Sequence, residues 1–204
     1  MFDTKEKKER SLGVRLFLKA ERCNSPKCAM VRNATRPGLH GKAHRRALSE
    51  MGQQLKETQK IKFTYGVREA YLNKIFNLAA KNPGVTGQMM ISMLERRLDN
   101  VVYRLGLAAS RSVGRQLVSH GHIFVNNKRV SIPSYQVRVD DVISIRTQSQ
   151  NHPVFKDLAL TIKKIEPPVW LTIDKEKLEG KVISPPKDFD ISFDTNMVVD
   201  YYSK

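Results

Sequence analysis

Arg97, Arg104, Arg111 and Arg115 crowd one short stretch of this chain, and His120 and His122 follow closely. A guanidinium is planar, permanently charged and carries five N–H donors in a fork that matches phosphate oxygens two at a time. Arg97 and Arg104 are seven residues apart, the spacing of one helical face, and Arg111 and Arg115 are spaced i, i+4. Glu95 and Asp99 are the only acids close by, so the excess charge is not that of a self-neutralised surface. Ser110 stands where a helix begins, and a helix start offers backbone N–H groups to an anion. These groups are suited to gripping a phosphate backbone. None of them forms a nucleophile, a base and an orienting partner.

The rest of the chain offers no alternative chemistry of comparable strength. It contains no G-x-S-x-G, no P-loop and no G-x-G-x-x-G. Asp140-Asp141 sits at a strand turn, where solvated acids are ordinary. No catalytic residue is assigned, and the chain reads as a non-enzyme. Cys23-x4-Cys28-x11-His40-x3-His44 falls within a residue of a zinc-finger spacing. Pro37-Gly38 and Gly41 break the helix that would have to carry both histidines, and the spaced aromatic and leucine of a finger core are missing. No metal and no cofactor are assigned.

The arginines need elements to hold them. Leu98, Val101, Val102 and Leu105 recur at i, i+3, i+4 and i+7, with Gly106 as terminator, which predicts a short helix. Ser110 caps a second helix, Arg111 to Ser119, whose buried stripe is Val113, Leu117 and Val118, and Gly121 closes it. His122-Ile123-Phe124-Val125 then reads as a strand, Asn126-Asn127 as a turn and Lys128-Arg129-Val130 as the return strand. Asp140-Asp141 turns the chain into a further strand, Val142 to Ile145. Upstream, Ser49 caps a helix that Gly66 stops, with Leu55 and Ile61 among its apolar positions. A second runs from about Val67 to Ala80, with Ala70, Tyr71, Ile75, Leu78 and Ala79 on one face. A third follows Thr86, with Met89, Met90, Met93, Leu94 and Leu98 turned inward as ordinary core. Residues 1–48 look irregular, and the segment after 146 has a Pro167-Pro168 break, strand-like pieces near Val169–Ile173 and an apolar ending. The fold class is α+β. It comprises an irregular basic extension at 1–48, a helical domain at 49–93 completed by 175–204, and a helix-turn-helix with antiparallel strands at 94–174.

Charge is distributed in the same way. The 204 residues carry 36 Lys+Arg against 20 Asp+Glu, a net +16. Residues 1–60 contribute +9 and residues 61–130 contribute +8, whereas residues 131–204 sum to −1. Solubility asks for only about 2–8 net charges in a small domain. A one-sided field of this size attracts a polyanion, most commonly nucleic acid. No stretch reaches the ~18 apolar residues of a membrane span. No secretory leader is evident, and two cysteines are too few for a disulfide scaffold. A reducing, intracellular setting without membrane contact is expected.

Residues 94–106 (LERRLDNVVYRLG), Arg115-Gln116-Leu117-Val118, His120-Gly121-His122-Ile123, Val125-Asn126 and Ile132-Pro133-Ser134-Tyr135 resemble small-subunit ribosomal protein four of the bacterial type. Pro37-Gly38-Leu39-His40-Gly41, Gln59-Lys60, Tyr65-Gly66, Pro168-Val169-Trp170-Leu171 and the ending Asp200-Tyr201-Tyr202-Ser203-Lys204 extend the likeness over nearly the whole chain. The resemblance implies a helical domain beside an RNA-binding module of helix-turn-helix and β-sheet. It implies a structural constituent of the small ribosomal subunit in the cytoplasm that binds the 5′ domain of ribosomal RNA and nucleates assembly. It further implies contact with neighbouring ribosomal proteins and a position near the path by which messenger RNA enters, where accuracy is influenced. On this reading the rRNA-binding residues are Arg97, Arg104, Arg111, Arg115, Gln116, His120, His122, Asn126, Lys128, Arg129 and Tyr135, with Arg45, Arg46 and Lys60. His120, His122 and Tyr135 are of types that stack on bases or bond ribose, with packing or capping as the plainer role.

Some members of that family hold zinc through four cysteines, a C-x-x-C pair and then a C-x4-C pair. This chain keeps Cys23 and Cys28. Counting back from Gly13 sets Lys7 and Arg10 at the first pair, where they can meet phosphate in place of a metal's charge. Two other classes share the module. A uridine-modifying enzyme needs an appended catalytic domain, for which residues 147–204 are too short. A small RNA chaperone built on the module alone would lack the flanking segments.

Overall fold

The computed structural model describes residues 5–44, 47–149, 155, 162, 166–174, 177–187 and 193–203. The chain divides into two compact units, Met1–Met90 with Ile191–Lys204, and Ile91–Asp190.

In the first unit, helices α4 (Glu50–Tyr65) and α5 (Glu69–Ala80) form around the signals expected of them. Ser49 accepts the Gly52 N–H on its Oγ at 3.3 Å, and Gly66 ends α4 in the left-handed region at φ +62°. Val67 N–H reaches back to the Lys62 carbonyl at 3.0 Å, so the last turn is capped on its carbonyl side. The apolar face is rotated from the expected one. Leu55 and Leu78 are exposed, and Ile61, Leu72, Ile75 and Ala79 are buried. The C-terminal helix α9 (Thr195–Ser203) packs on α4 and α5 and selects that face. Tyr202 stacks on Phe76 with ring centroids 5.5 Å apart and donates its hydroxyl to Glu69. Burial and the Glu69 carboxylate together push the Tyr202 hydroxyl pKa upward, so it stays a donor. Asp194 caps α9 by accepting from the N–H groups of Asn196 and Met197.

Residues 1–48 are not irregular throughout. They hold three short helices, α1 (Lys5–Leu12), α2 (Ala20–Asn24) and α3 (Ala29–Arg32). Periodicity could not reveal them because their order comes from contacts between segments. Arg10 Nε donates to the Thr35 carbonyl at 2.8 Å, and Lys8 lies 4.8 Å from the Phe63 ring centre.

The second unit begins within α6 (Thr86–Glu95), at Ile91. Helices α7 (Leu98–Arg104) and α8 (Arg111–Ser119) form the helix-turn-helix, joined through Gly106 at φ +77°. They cover a five-stranded antiparallel sheet built from β1 (Ile123–Val125), β2 (Lys128–Arg129), β3 (Val142–Ile145), β4 (Leu171–Asp174) and β5 (Glu179–Val182), in the order β2-β1-β3-β5-β4. Asn126 and Asn127 both take positive φ, 51° and 62°, which is the turn that suits the twist of a two-residue hairpin. Leu98, Val101, Val102 and Leu105 of the α7 segment, Leu117 and Val118 of α8, and Ile123, Val125, Ile143 and Ile145 of the strands fill one core. Trp170, Leu171 and Val182 extend it across the far strands.

The two helices meet closely at Gly114. A Cβ there would lie 2.7 Å from the Asp99 carbonyl oxygen, a backbone atom with nowhere to go. Gly114→Ala should therefore destabilise the unit by roughly 1–2 kcal/mol, the ~1 kcal/mol helix-propensity gain notwithstanding. Urea denaturation followed by circular dichroism checks this; an unchanged or raised midpoint would contradict the close approach.

Candidate nucleic-acid interface

Two buried carboxylates organise the arginines. Glu95, the last residue of α6, accepts a bidentate grip from Arg104, at 3.0 Å from Nε and 2.8 Å from Nη2. Glu95 also receives the Asn100 amide at 2.7 Å. Asn100 in turn offers its Oδ1 to Arg111 Nε at 2.7 Å. Arg111 lies over the Tyr103 ring, 4.7 Å from its centre, a cation–π arrangement. Asp99, in the first turn of α7, takes both Nε and Nη2 of Arg97 at 3.0 and 2.7 Å, and Arg115 Nε stands 3.7 Å from the same carboxylate. An acid in the first turn also suits the positive end of the helix dipole. The pair of acids and four guanidiniums leave a surplus of two positive charges, on side chains fixed in orientation before any ligand arrives.

These contacts sort the expected site residues. Arg97 does not lie on the outer face. It precedes α7 with extended backbone, φ −67° and ψ 136°, so the seven-residue spacing to Arg104 does not put the two on one helical face. Its side chain is only 2% exposed and serves as an internal strut for Asp99. Arg104 is partly exposed beyond its grip on Glu95. Arg115 is 46% exposed, and with Gln116 and His120 it forms the open side of α8. Lys128 and Arg129 are exposed on β2. Arg129 folds its guanidinium over Gly121, where a Cβ would come within 2.2 Å of Nε. That contact sets the hairpin's basic tip beside the end of α8.

Other expected contact residues are also engaged within the fold. His122 Nδ1 is 2.9 Å from Ser149 Oγ, and its ring meets Phe155 edge-on at 6.3 Å, so it packs more than it displays. Asn126 joins the hairpin turn to the next strand. Its amide donates to Asp141 at 2.8 Å and its Oδ1 accepts from Val142 N–H at 2.9 Å. Tyr135 packs against the core, and its carbonyl accepts the Leu98 N–H at 2.9 Å. In the first unit Lys60 pairs with Glu57, and its side chain is only 12% exposed. Arg45 and Arg46 lie outside the described residues. The residues that sequence reasoning missed are Asn100 and Tyr103, which tie Arg111 down. Their signal was the Asn and Tyr set among the basic residues of 96–104.

A helix-turn-helix on an antiparallel sheet, faced by arginines and a basic hairpin, is the architecture of an S4-type module, and the comparisons bear this out. A family described as S4 domain matches residues 96–143, and one described as ribosomal protein S4/S9 N-terminal domain matches residues 2–95. The chain is 46% identical over 194 residues to small ribosomal subunit protein uS4 of Halothermothrix orenii, covering 94% of this chain and 93% of that protein. Over the same shares it is 48% identical to uS4A of Alkaliphilus metalliredigens and 47% identical to uS4 of Caldicellulosiruptor saccharolyticus. The chain belongs to the uS4 family of small ribosomal subunit proteins. Its relatives are named as ribosomal proteins, not as enzymes. Among the described residues no helix is long and apolar enough to cross a membrane.

Proposed function

We propose that this chain is a structural constituent of the small ribosomal subunit that binds ribosomal RNA without a catalytic step. The observation that carries this reading is the arginine network itself. Buried carboxylates hold guanidiniums at fixed places on a rigid helix-turn-helix, with exposed Arg115, Gln116, His120, Lys128 and Arg129 alongside. Pre-set donors lose little rotamer freedom when they meet phosphates, which favours recognition of a folded RNA by its shape. Within this reading the chain is a primary binder of the 5′ domain and nucleates assembly. It also contacts neighbouring ribosomal proteins and lies near the messenger RNA path, where it helps set accuracy. The near-neutral charge of 131–204 fits a protein-facing or packing role for that part of the sequence.

The test replaces two exposed cations, Lys128 and Arg115; the Asp99 carboxylate that Arg115 faces at 3.7 Å keeps both of its shorter bonds from Arg97. Arg115→Ala with Lys128→Ala should weaken binding to small-subunit ribosomal RNA by about 1–3 kcal/mol per lost charged contact, in a filter-binding titration. Circular dichroism and the urea midpoint should stay near those of the parent. Native folding with unchanged affinity would remove this face from the interface.

A further inference from the structure

Glu9 is a buried acid of the N-terminal helices, 1% exposed, and nothing in the RNA-facing network uses it. It sits among Leu12, Leu16, Cys23 and Cys28, all buried. Its Oε1 accepts from the backbone N–H of Leu16 at 3.1 Å and of Leu18 at 3.2 Å. Phe17 stands between those two donors at φ +54°, a left-handed conformation that costs a bulky residue roughly 1–3 kcal/mol. The bend aims both N–H groups at one point, the kind of backbone concavity that holds anions. Here the chain fills that concavity with its own carboxylate. The Cys23 Sγ lies 4.0 Å from both Glu9 oxygens and itself accepts the Lys19 N–H at 3.4 Å.

This arrangement departs from the zinc site that the family resemblance suggests. The side chain set against the thiols is Glu9, not Lys7 or Arg10. Lys7 is exposed, and Arg10 is engaged with the carbonyls of Thr35 and Arg36. A closed zinc site needs four ligands converging on one point, with its thiols deprotonated. Among the described residues no three of His, Cys, Asp and Glu are so grouped, and His40 and His44 are both exposed. The Glu9 oxygen that faces the loop is already spent on two amides. The donor set therefore does not fit a structural zinc.

We propose that the N-terminal helices are organised around the Glu9 carboxylate instead of a metal ion, so that this lobe folds without zinc. The experiment uses the full chain purified with zinc present. Its readouts are bound metal by mass spectrometry, and the rate at which Cys23 and Cys28 react with a thiol reagent, with and without chelator. The expected result is zinc well below one per chain and a slow labelling rate that chelator does not change. Glu9→Gln removes the charge but keeps the shape, and should speed labelling roughly ten- to hundredfold, as loss of hydrogen bonds to a charged acceptor implies. If that variant does not fold, Glu9→Asp, one methylene shorter, gives the same readout. The double variant Cys23→Ser/Cys28→Ser should keep a parental circular dichroism spectrum, because a hydroxyl still donates to the carboxylate. One zinc per chain with labelling released by chelator would overturn the proposal, and so would a parental labelling rate in the Glu9 variant.

Discussion

Replacing Arg97 by alanine is expected to destabilise the Ile91–Asp190 unit by about 3–5 kcal/mol, although the residue looks from sequence like a surface cation. The reason is what the substitution leaves behind. Asp99 is 5% exposed at its side chain, and Arg97 supplies both of its short charge-assisted bonds. With Arg97 gone, Arg115 at 3.7 Å is the remaining cation near a carboxylate shut away from water. Arg97→Lys should fall between the parent and alanine, because an ammonium cannot reproduce the two-pronged grip. Arg97→Met with Asp99→Leu should recover most of the loss, since an apolar pair of similar volume avoids the unpaired charge. Urea denaturation of the three variants ranks them. Equal stability of the alanine variant and the parent would mean that the pair is not buried in solution.

The same residue shows where sequence reasoning stopped. The helices and strands of 98–145 were readable because each is bounded by local chemistry. Ser110 caps α8, Gly106 and Gly121 take positive φ, and Asn126-Asn127 makes the hairpin turn. The placement of arginines was not readable from spacing. Seven residues mark one face only if both lie within the helix, and Arg97 precedes it with extended backbone. The scarcity of nearby acids means the reverse of what a count suggests. Glu95 and Asp99 do not merely fail to neutralise the arginines; being buried, they fix where the guanidiniums point. Sequence alone does not separate a buried acid from a solvated one. The helices of 1–48 escaped for a related cause. Glu9, Arg10 and Lys8 find their partners across loops and neighbouring helices, at separations that periodicity does not sample.

The largest effect expected of this chain is on salt dependence. With +17 carried by the first 130 residues, some 6–10 phosphate contacts are a reasonable interface, and these would cost about 10³–10⁵ in affinity between 50 and 200 mM salt. The slope of log K against log salt separates contact from scaffold in a way that a single affinity does not. Lys128→Ala, exposed on the hairpin, should lower the slope by about one and weaken binding uniformly across RNA sequences. The double variant Arg97→Met/Asp99→Leu removes one charge of each sign from the interior. It should leave the slope near the parental value while shifting affinity only through the orientation of Arg115. A flat titration with the parent protein would mean that phosphates are not what the basic face meets. A slope that fell equally for the buried and the exposed replacements would mean that the arginines act as diffuse charge and not from fixed positions.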